Sequence, residues 1–262
     1  MNKTRQIFLV IAPILAFVSL GISFGCAIAP KQSSPRMNSI GMKFVYISPS
    51  TFMMGSLEKE KGRRQEETPH LVHLTKGFYI ASTEVTQGQW KAVMGIENNP
   101  SENRGNNLPV DNVSSDDAID FCKKLSESEG EKFRLPTEAE WEYACRAGSD
   151  RAYGGTGNLE DMGWYKSNSG GKTHPVGKKN PNDWGLFDMH GNVWELCMDW
   201  DGDYPISKVV AIDPRGSPMG SNRIMRGGSW DSAPAYCRSA LRVRCESNHP
   251  FNGIGFRVVL DN

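Results

Sequence analysis

Six cysteines and five histidines are the side chains of this sequence best suited to hold a soft or borderline metal or to act as nucleophiles. Cys237 and Cys245 are eight residues apart, a spacing open to a disulfide or to a thiol pair, and spacing by itself does not choose. Cys122 and Cys145 fall on apolar faces of helical patterns and read as core thiols. Cys197 follows NVWEL and reads as core or edge. His70 and His73 form an HxxH pair, but in a strand residues three apart point to opposite faces, so they read as strand and turn histidines rather than ligands. No Ser–His–Asp order, P-loop or strand-linked GxGxxG is present.

These residues sit in a chain of 262 residues with 30 basic and 30 acidic side chains, 38% hydrophobic and 23% charged. That composition is ordinary for a globular protein and excludes a collagen-like chain, a long acidic disordered tail and a polytopic membrane protein. The missing basic excess argues against a nucleic-acid partner. At the N-terminus, MNKTRQ is basic and residues 7–24 carry no charge, the order of a secretory signal. Cys26 follows Gly25, and the junction resembles the lipobox of bacterial lipoproteins, in which that cysteine is lipidated and becomes the new N-terminus. The alternative is an uncleaved anchor, since about 18 apolar residues can just span a bilayer. Both place the remainder outside the cytoplasm, and the first predicts an exported lipoprotein at the outer membrane or cell surface. The expected organisation is a signal peptide over 1–25, a Pro/Ser-rich tether over 26–36 and one domain over 37–262.

Within the domain, 40–56 alternates apolar and polar residues and predicts a hairpin turning at SPS, and 70–80 predicts a strand pair. EKEKGRRQEE (58–67) reads as a charged loop. Ser114 with Asp117, and Thr137 with Glu140, have capping-box spacing at the start of two helices, whose expected stops are Gly130 and Gly148. Residues 150–225 read mostly as loop, a length that calls for a function or an ordering ion. Strand-like stretches at 224–230 and 254–259 close the chain. Strands, two helices, long loops and strands again predict an α+β fold of short antiparallel strands.

Six phrases then occur in order: NSIGMKFVYIS…TFMMGS, GFYIASTEVTQGQW, LPVDNVSSDDAIDFC, RLPTEAEWEYACRAG, WGLFDMHGNVWEL and RGGSW…CRSALRVR…GFRVV. Together they resemble the formylglycine-generating enzymes, or sulfatase-modifying factors. The resemblance implies a C-type-lectin-like α+β fold from about Met37 to the C-terminus. Ser115 stands where that family carries Trp. The oxidase members hold Cu(I) between two cysteines, because a soft monovalent ion prefers two thiolates. Carried over to GGSWDSAPAYC, the second position is Cys237 and the first is Ser232, whose neutral hydroxyl is a poor Cu(I) ligand. No copper is therefore expected, and an oxidase or other thiol enzyme using Cys237 is the alternative rather than the leading reading. The same resemblance implies a structural calcium loop, with side-chain oxygens from Asp188 and Glu195 and backbone carbonyls from Gly191 and Val193.

The leader and the C-terminal frame together resemble the lipoprotein variable proteins of diversity-generating retroelements, the Treponema variable protein type, in which a lectin-like scaffold displays altered side chains near the C-terminus. The implied display positions are Trp230, Asp231, Ser232, Ala235, Tyr236, Leu241, Val243, Cys245, Ser247, Asn248, His249, Phe251, Asn252 and Gly253. The expected function is a lipid-anchored surface protein that binds a protein or glycan through this region, with the membrane reached through Cys26.

Overall fold

The computed structural model describes residues 36–205 and 209–262. The signal segment, Cys26 and the tether up to residue 35 lie outside the described residues. In chain order the strands are β1 (Arg36–Met37), β2 (Lys43–Ile47), β3 (Ser50–Met54), β4 (His70–Leu74), β5 (Phe78–Ala81), β6 (Phe133–Arg134), β7 (Trp194–Trp200), β8 (Ala211–Ile212), β9 (Asn222–Arg226), β10 (Arg242–Glu246), β11 (Ile254–Gly255) and β12 (Val259–Asp261). The helices are α1 (Gln87–Met94), α2 (Ser115–Glu129), α3 (Glu138–Arg146) and the single turn α4 (Leu159–Met162). The strands form sheets in the orders β1-β2-β5-β12-β6, β10-β9-β7-β11 and β3-β4-β8. Among the described residues no helix is long and apolar enough to cross a membrane.

Both expected capping boxes are present. The Ser114 side chain accepts from Asp117 N and the Thr137 side chain from Glu140 N. Such a cap is typically worth ~1 kcal/mol against alanine. Gly130 ends α2 in the left-handed region, as predicted, whereas α3 ends one residue early, with Ala147 in that conformation. A third capping box, Thr86 with Gln89, starts α1, which the sequence reading did not place.

The predicted pairings are corrected. β2 pairs with β5, and β3 pairs with β4, so neither 40–56 nor 70–80 is a hairpin. The chain changes sheet at Ser48–Pro49 and again between Leu74 and Phe78. Adjacent short strands looked like partners, but partners are chosen by which faces bury together, a long-range condition. The predicted loop 150–225 contains β7, a seven-residue strand that is buried along most of its length and so lacks the period-two signal of a half-exposed strand.

Two apolar clusters hold these layers. In the first, Trp90 stacks on Phe121 at 5.6 Å and Phe256 meets Phe121 edge-on at 5.3 Å. In the second, Trp141, Cys145, Met189, Cys197 and Ile224 pack around α3, all nine residues of which are buried.

Candidate functional site

The GGSW segment leaves β9 with Gly227 and Gly228 both at positive φ. A Cβ on Gly228 would lie 2.7 Å from Cys237 Sγ, so only glycine lets the two strands of this loop approach. The turn then closes on itself. Ser229 N donates to Ser232 Oγ at 2.9 Å, Ser232 N donates to Ser229 O at 3.0 Å, and Ser229 Oγ donates to Asp231 Oδ1 at 2.6 Å. A 3-10 turn, Pro234–Cys237, follows. Cys237 is fully buried, and burial, with Asp231 adding to it, pushes its thiol up to about 12. His190 lies beneath the same loop but addresses the Cys237 carbonyl, donating from Nδ1 at 2.8 Å, while Nε2 accepts from Gly154 N at 2.9 Å. Burial holds this imidazole down at about 4, hence neutral. It is not placed to take the Cys237 proton. All five described cysteines are free, so Cys237 and Cys245 are not bridged. Cys245 contacts Arg223 O from β10 instead.

Four arginines of the C-terminal frame are buried against carboxylates, and two of them, Arg226 and Arg238, hold the backbone behind this turn; the residue pattern did not reveal these roles. Arg226 is fully buried, pairs with Glu138 and Glu142 of α3, and donates to Ser239 O at 2.9 Å and Ala240 O at 3.0 Å. Arg238 reaches Glu60 and Glu67 of the charged loop, and its Nε donates to Ala235 O at 3.1 Å. Arg242 makes a bidentate pair with Glu138. Arg257 grips both oxygens of Glu195. The available signal was composition: arginines beside glycines in stretches otherwise fated for burial need carboxylates elsewhere in the chain.

The predicted display positions separate into two groups. Asp231, Ala235, Tyr236, Asn248, His249 and Phe251 are exposed, with Tyr236 at 37% and Phe251 at 65%. Trp230 and Asn252 are half-buried. Trp230 N donates to Asn192 O, Trp194 N donates to Gly253 O, and the Trp194 and Tyr236 rings meet edge-on at 6.4 Å. These contacts bring 230–236 and 251–253 together. Arg64 lies over Tyr236, and Asn252 donates to Glu102, so two earlier loops frame the same surface.

Leu241, Val243 and Cys245 are a correction. Leu241 is 1% exposed within the first cluster, and Val243 and Cys245 pack against it. The exposed face of β10 belongs to Arg244 and Glu246, because side chains alternate along a strand. Ser232 is buried in its turn, and Gly253 is buried against Trp230. Ser247 is buried too: Ser115, in the position expected to hold Trp, bonds its hydroxyl at 2.7 Å and its carbonyl at 2.9 Å. Asn248 and His249 lie in the β10–β11 loop, with His249 facing Glu246 at 3.7 Å rather than the Trp230 surface.

The residues of the predicted calcium loop lie together and buried. Asp188 has φ +58°, its Oδ2 accepts from Gly177 N at 2.6 Å, and its Oδ1 has no partner. Glu195 accepts from Arg257 and from Trp141 Nε1. Glu84, which the sequence reading did not single out, accepts from Asn192 Nδ2 at 2.9 Å and Val193 N at 3.2 Å. Burial holds Glu84 well above the usual carboxylate range, with the charges of Asp188 and Glu195 adding to it. Three buried carboxylates face one guanidinium and leave an Asp188 oxygen without a partner, but among the described residues no group of three or more His, Cys, Asp or Glu side chains is arranged to hold a metal ion. Glu195 is already occupied by Arg257.

Residues 30–262 match the family described as sulfatase-modifying factor enzyme 1-like domain. The chaperone protein LppX of Paenibacillus barcinonensis is 31% identical over 235 residues, covering 70% of this chain and 79% of that protein. A formylglycine-generating enzyme of Thermomonospora curvata is 32% identical over 217 residues, covering 72% of this chain and 70% of the enzyme. Among solved structures, Treponema denticola variable protein 1 superposes with a TM-score of 0.80 at 32% identity, covering 89% of this chain and all of that one (100%). PvdO from Pseudomonas aeruginosa gives 0.76 at 26% identity, with the same coverage of 89% and 100%. The α+β, C-type-lectin-like fold and the variable-protein likeness read from the motifs both hold.

Proposed function

The chain belongs to the sulfatase-modifying factor enzyme 1-like family, and from that premise we propose that it is a binding member rather than an oxidase. In this reading it is an exported lipoprotein, held at the outer membrane or cell surface through Cys26, that engages a ligand with the surface around Trp230. The observation that carries it is the state of the two positions corresponding to the oxidase thiols. Ser232 spends its hydroxyl closing a turn, and Cys237 is a buried, protonated thiol with no base facing it. The surface above them offers Tyr236 and Phe251, rigid aromatic area of the kind that anchors partners. The LppX relative is called a chaperone protein, which favours a polypeptide over a glycan.

Copper titration followed by mass spectrometry, with a cysteine peptide offered as substrate, tests the exclusion of oxidase chemistry. No stoichiometric copper and no peptide oxidation are expected, and tight copper binding with turnover would overturn the reading. The binding surface is tested by presenting the full chain to an immobilised glycan panel and to purified envelope proteins. The Tyr236→Ala, Phe251→Ala double variant should lose at least tenfold in affinity for whatever the wild type retains. Mass spectrometry of the chain made with its own leader tests lipidation at Cys26. The nucleotide sequence tests diversification: a neighbouring reverse transcriptase and a near-copy of the 3′ end differing at adenines would support it.

Calcium belongs to the same proposal. Bound at Asp188, it would satisfy the orphaned oxygen and order the loop leading into β7. Added calcium should raise the unfolding midpoint, and Asp188→Asn should abolish the rise.

A further inference from the structure

A cavity of about 390 Å³ opens between the start of α3, the end of β7 and the segments 202–205 and 214–217. None of its lining residues belongs to the surface around Trp230. Asp199 stands in its wall and is 2% exposed. One carboxylate oxygen, Oδ2, accepts from Glu138 N at 2.8 Å and so caps α3. The other accepts no hydrogen bond from a described residue, and no described basic side chain makes an ion pair with this carboxylate. Neighbouring Glu138 is the reverse case. It receives Arg242 on both oxygens, Arg226, and the Tyr204 hydroxyl at 2.8 Å. Of the donors at the cavity, Arg242 and Tyr204 are committed to Glu138, with Arg242 Nη1 going to Gly202 O, while Arg215 also lines the space but makes no ion pair with Asp199.

His70 lines the same space. Its Nδ1 meets Thr68 O at 3.0 Å, where a carbonyl can only accept, so in the neutral ring Nε2 is the acceptor. The ring packs 4.6 Å from that of Tyr204 and lines the cavity. Much of the remaining wall is apolar, supplied by Met54, Ala139, Pro205 and Pro214. A nearly buried carboxylate with no ion pair from a described residue is unfavourable, and a cavity that admits a cation to it relieves the cost.

We infer that this cavity binds a small primary ammonium compound with a short alkyl body, its NH₃⁺ held by the Asp199 carboxylate with His70 Nε2 as the second acceptor. The site is independent of the Trp230 surface. The charged and titratable groups around Asp199 are Glu138 and Glu140 of α3, His70 of β4, Cys197 of β7, Arg223 of β9, Arg242 of β10, Tyr204, and the rim residues Asp203 and Arg215. Burial, then the Glu138 charge, holds Asp199 up at about 7. Binding to the ionised carboxylate therefore strengthens about tenfold between pH 6 and pH 8.

The test is calorimetric titration of the full chain with n-butylammonium, with n-butanol as the neutral control. The amine is expected to bind with the stated pH dependence and the alcohol at least tenfold more weakly. Asp199→Asn keeps an oxygen to cap α3 and should lose at least tenfold in amine affinity together with the pH dependence. His70→Phe keeps the ring against Tyr204 and should lose a few-fold. The Tyr236→Ala, Phe251→Ala variant should bind the amine as wild type does, so this result stands apart from the Trp230 reading. Undetectable amine binding, equal binding of the alcohol, or unchanged affinity in Asp199→Asn would each overturn the inference.

Discussion

Residues 231–236 and 237–242 are consecutive, yet they live in opposite environments. In the first stretch only Ser232 is buried, whereas in the second every residue is. The first is a turn that satisfies itself, with Ser229, Asp231 and Ser232 exchanging short-range hydrogen bonds. The second is held from outside: Arg226 takes two of its carbonyls, Arg238 reaches a loop some 170 residues earlier in the chain, and Arg242 pairs with α3. A self-contained turn on an immobilised base can change its outward side chains without moving its backbone. The difference therefore separates positions that can vary from positions that cannot.

Removing an arginine of the base is the severest challenge to this contrast. Arg226→Met leaves Glu138 and Glu142 with less compensation, and breaking a buried pair this way costs about 3–5 kcal/mol. Chemical denaturation should show that loss, and a loss below about 1 kcal/mol would dissolve the distinction between base and turn. Leu241→Ala is next, at about 2–5 kcal/mol, because Leu241 fills the first cluster. The same measurement decides whether Leu241 is a packing residue or a displayed one.

The contrast extends to charge at Asp199. Its carboxyl is held above its unfolded value, so its contribution to stability is full below pH about 4 and is lost as pH rises through about 7. Wild type should thus lose stability relative to Asp199→Asn between about pH 4 and pH 7, by roughly 1.4 kcal/mol for each pKa unit of the shift. Parallel unfolding curves for the two proteins across that range would contradict the assignment. The smallest effect belongs to the turn. Tyr236→Ala should cost about 0.5–1.5 kcal/mol, the worth of its edge-on contact with Trp194, while weakening ligand capture. A large stability loss there would mean that the ring is structural.

The parts of this molecule legible from its residues are those written in short-range chemistry. The capping boxes of α2 and α3 needed only a hydroxyl and a carboxylate three positions apart, and the loss of the two-thiol site needed only the identity of Ser232. The phrase set gave the family and fold class. The third capping box, at Thr86, is equally short-range, and it falls between the predicted strand pair 70–80 and the first predicted helix, where no element was assigned.

What the tertiary structure decided is everything settled by a distant partner. β2 and β3 look like a hairpin until β5 and β4 claim them. Leu241, Val243 and Cys245 look displayable until the pairing of β10 with β9 turns them inward and leaves Arg244 and Glu246 outside. The setting of Asp199, with no ion pair from a described residue, the shared load on Arg257 and the engagement of Arg226 likewise depend on groups tens to more than a hundred residues away. The composition of the chain specifies which charges must be neutralised or hydrogen-bonded once buried. Only the folded arrangement says which are compensated and which are left for a ligand, because desolvation and Coulomb attraction act over ångströms in space and are blind to separation along the chain.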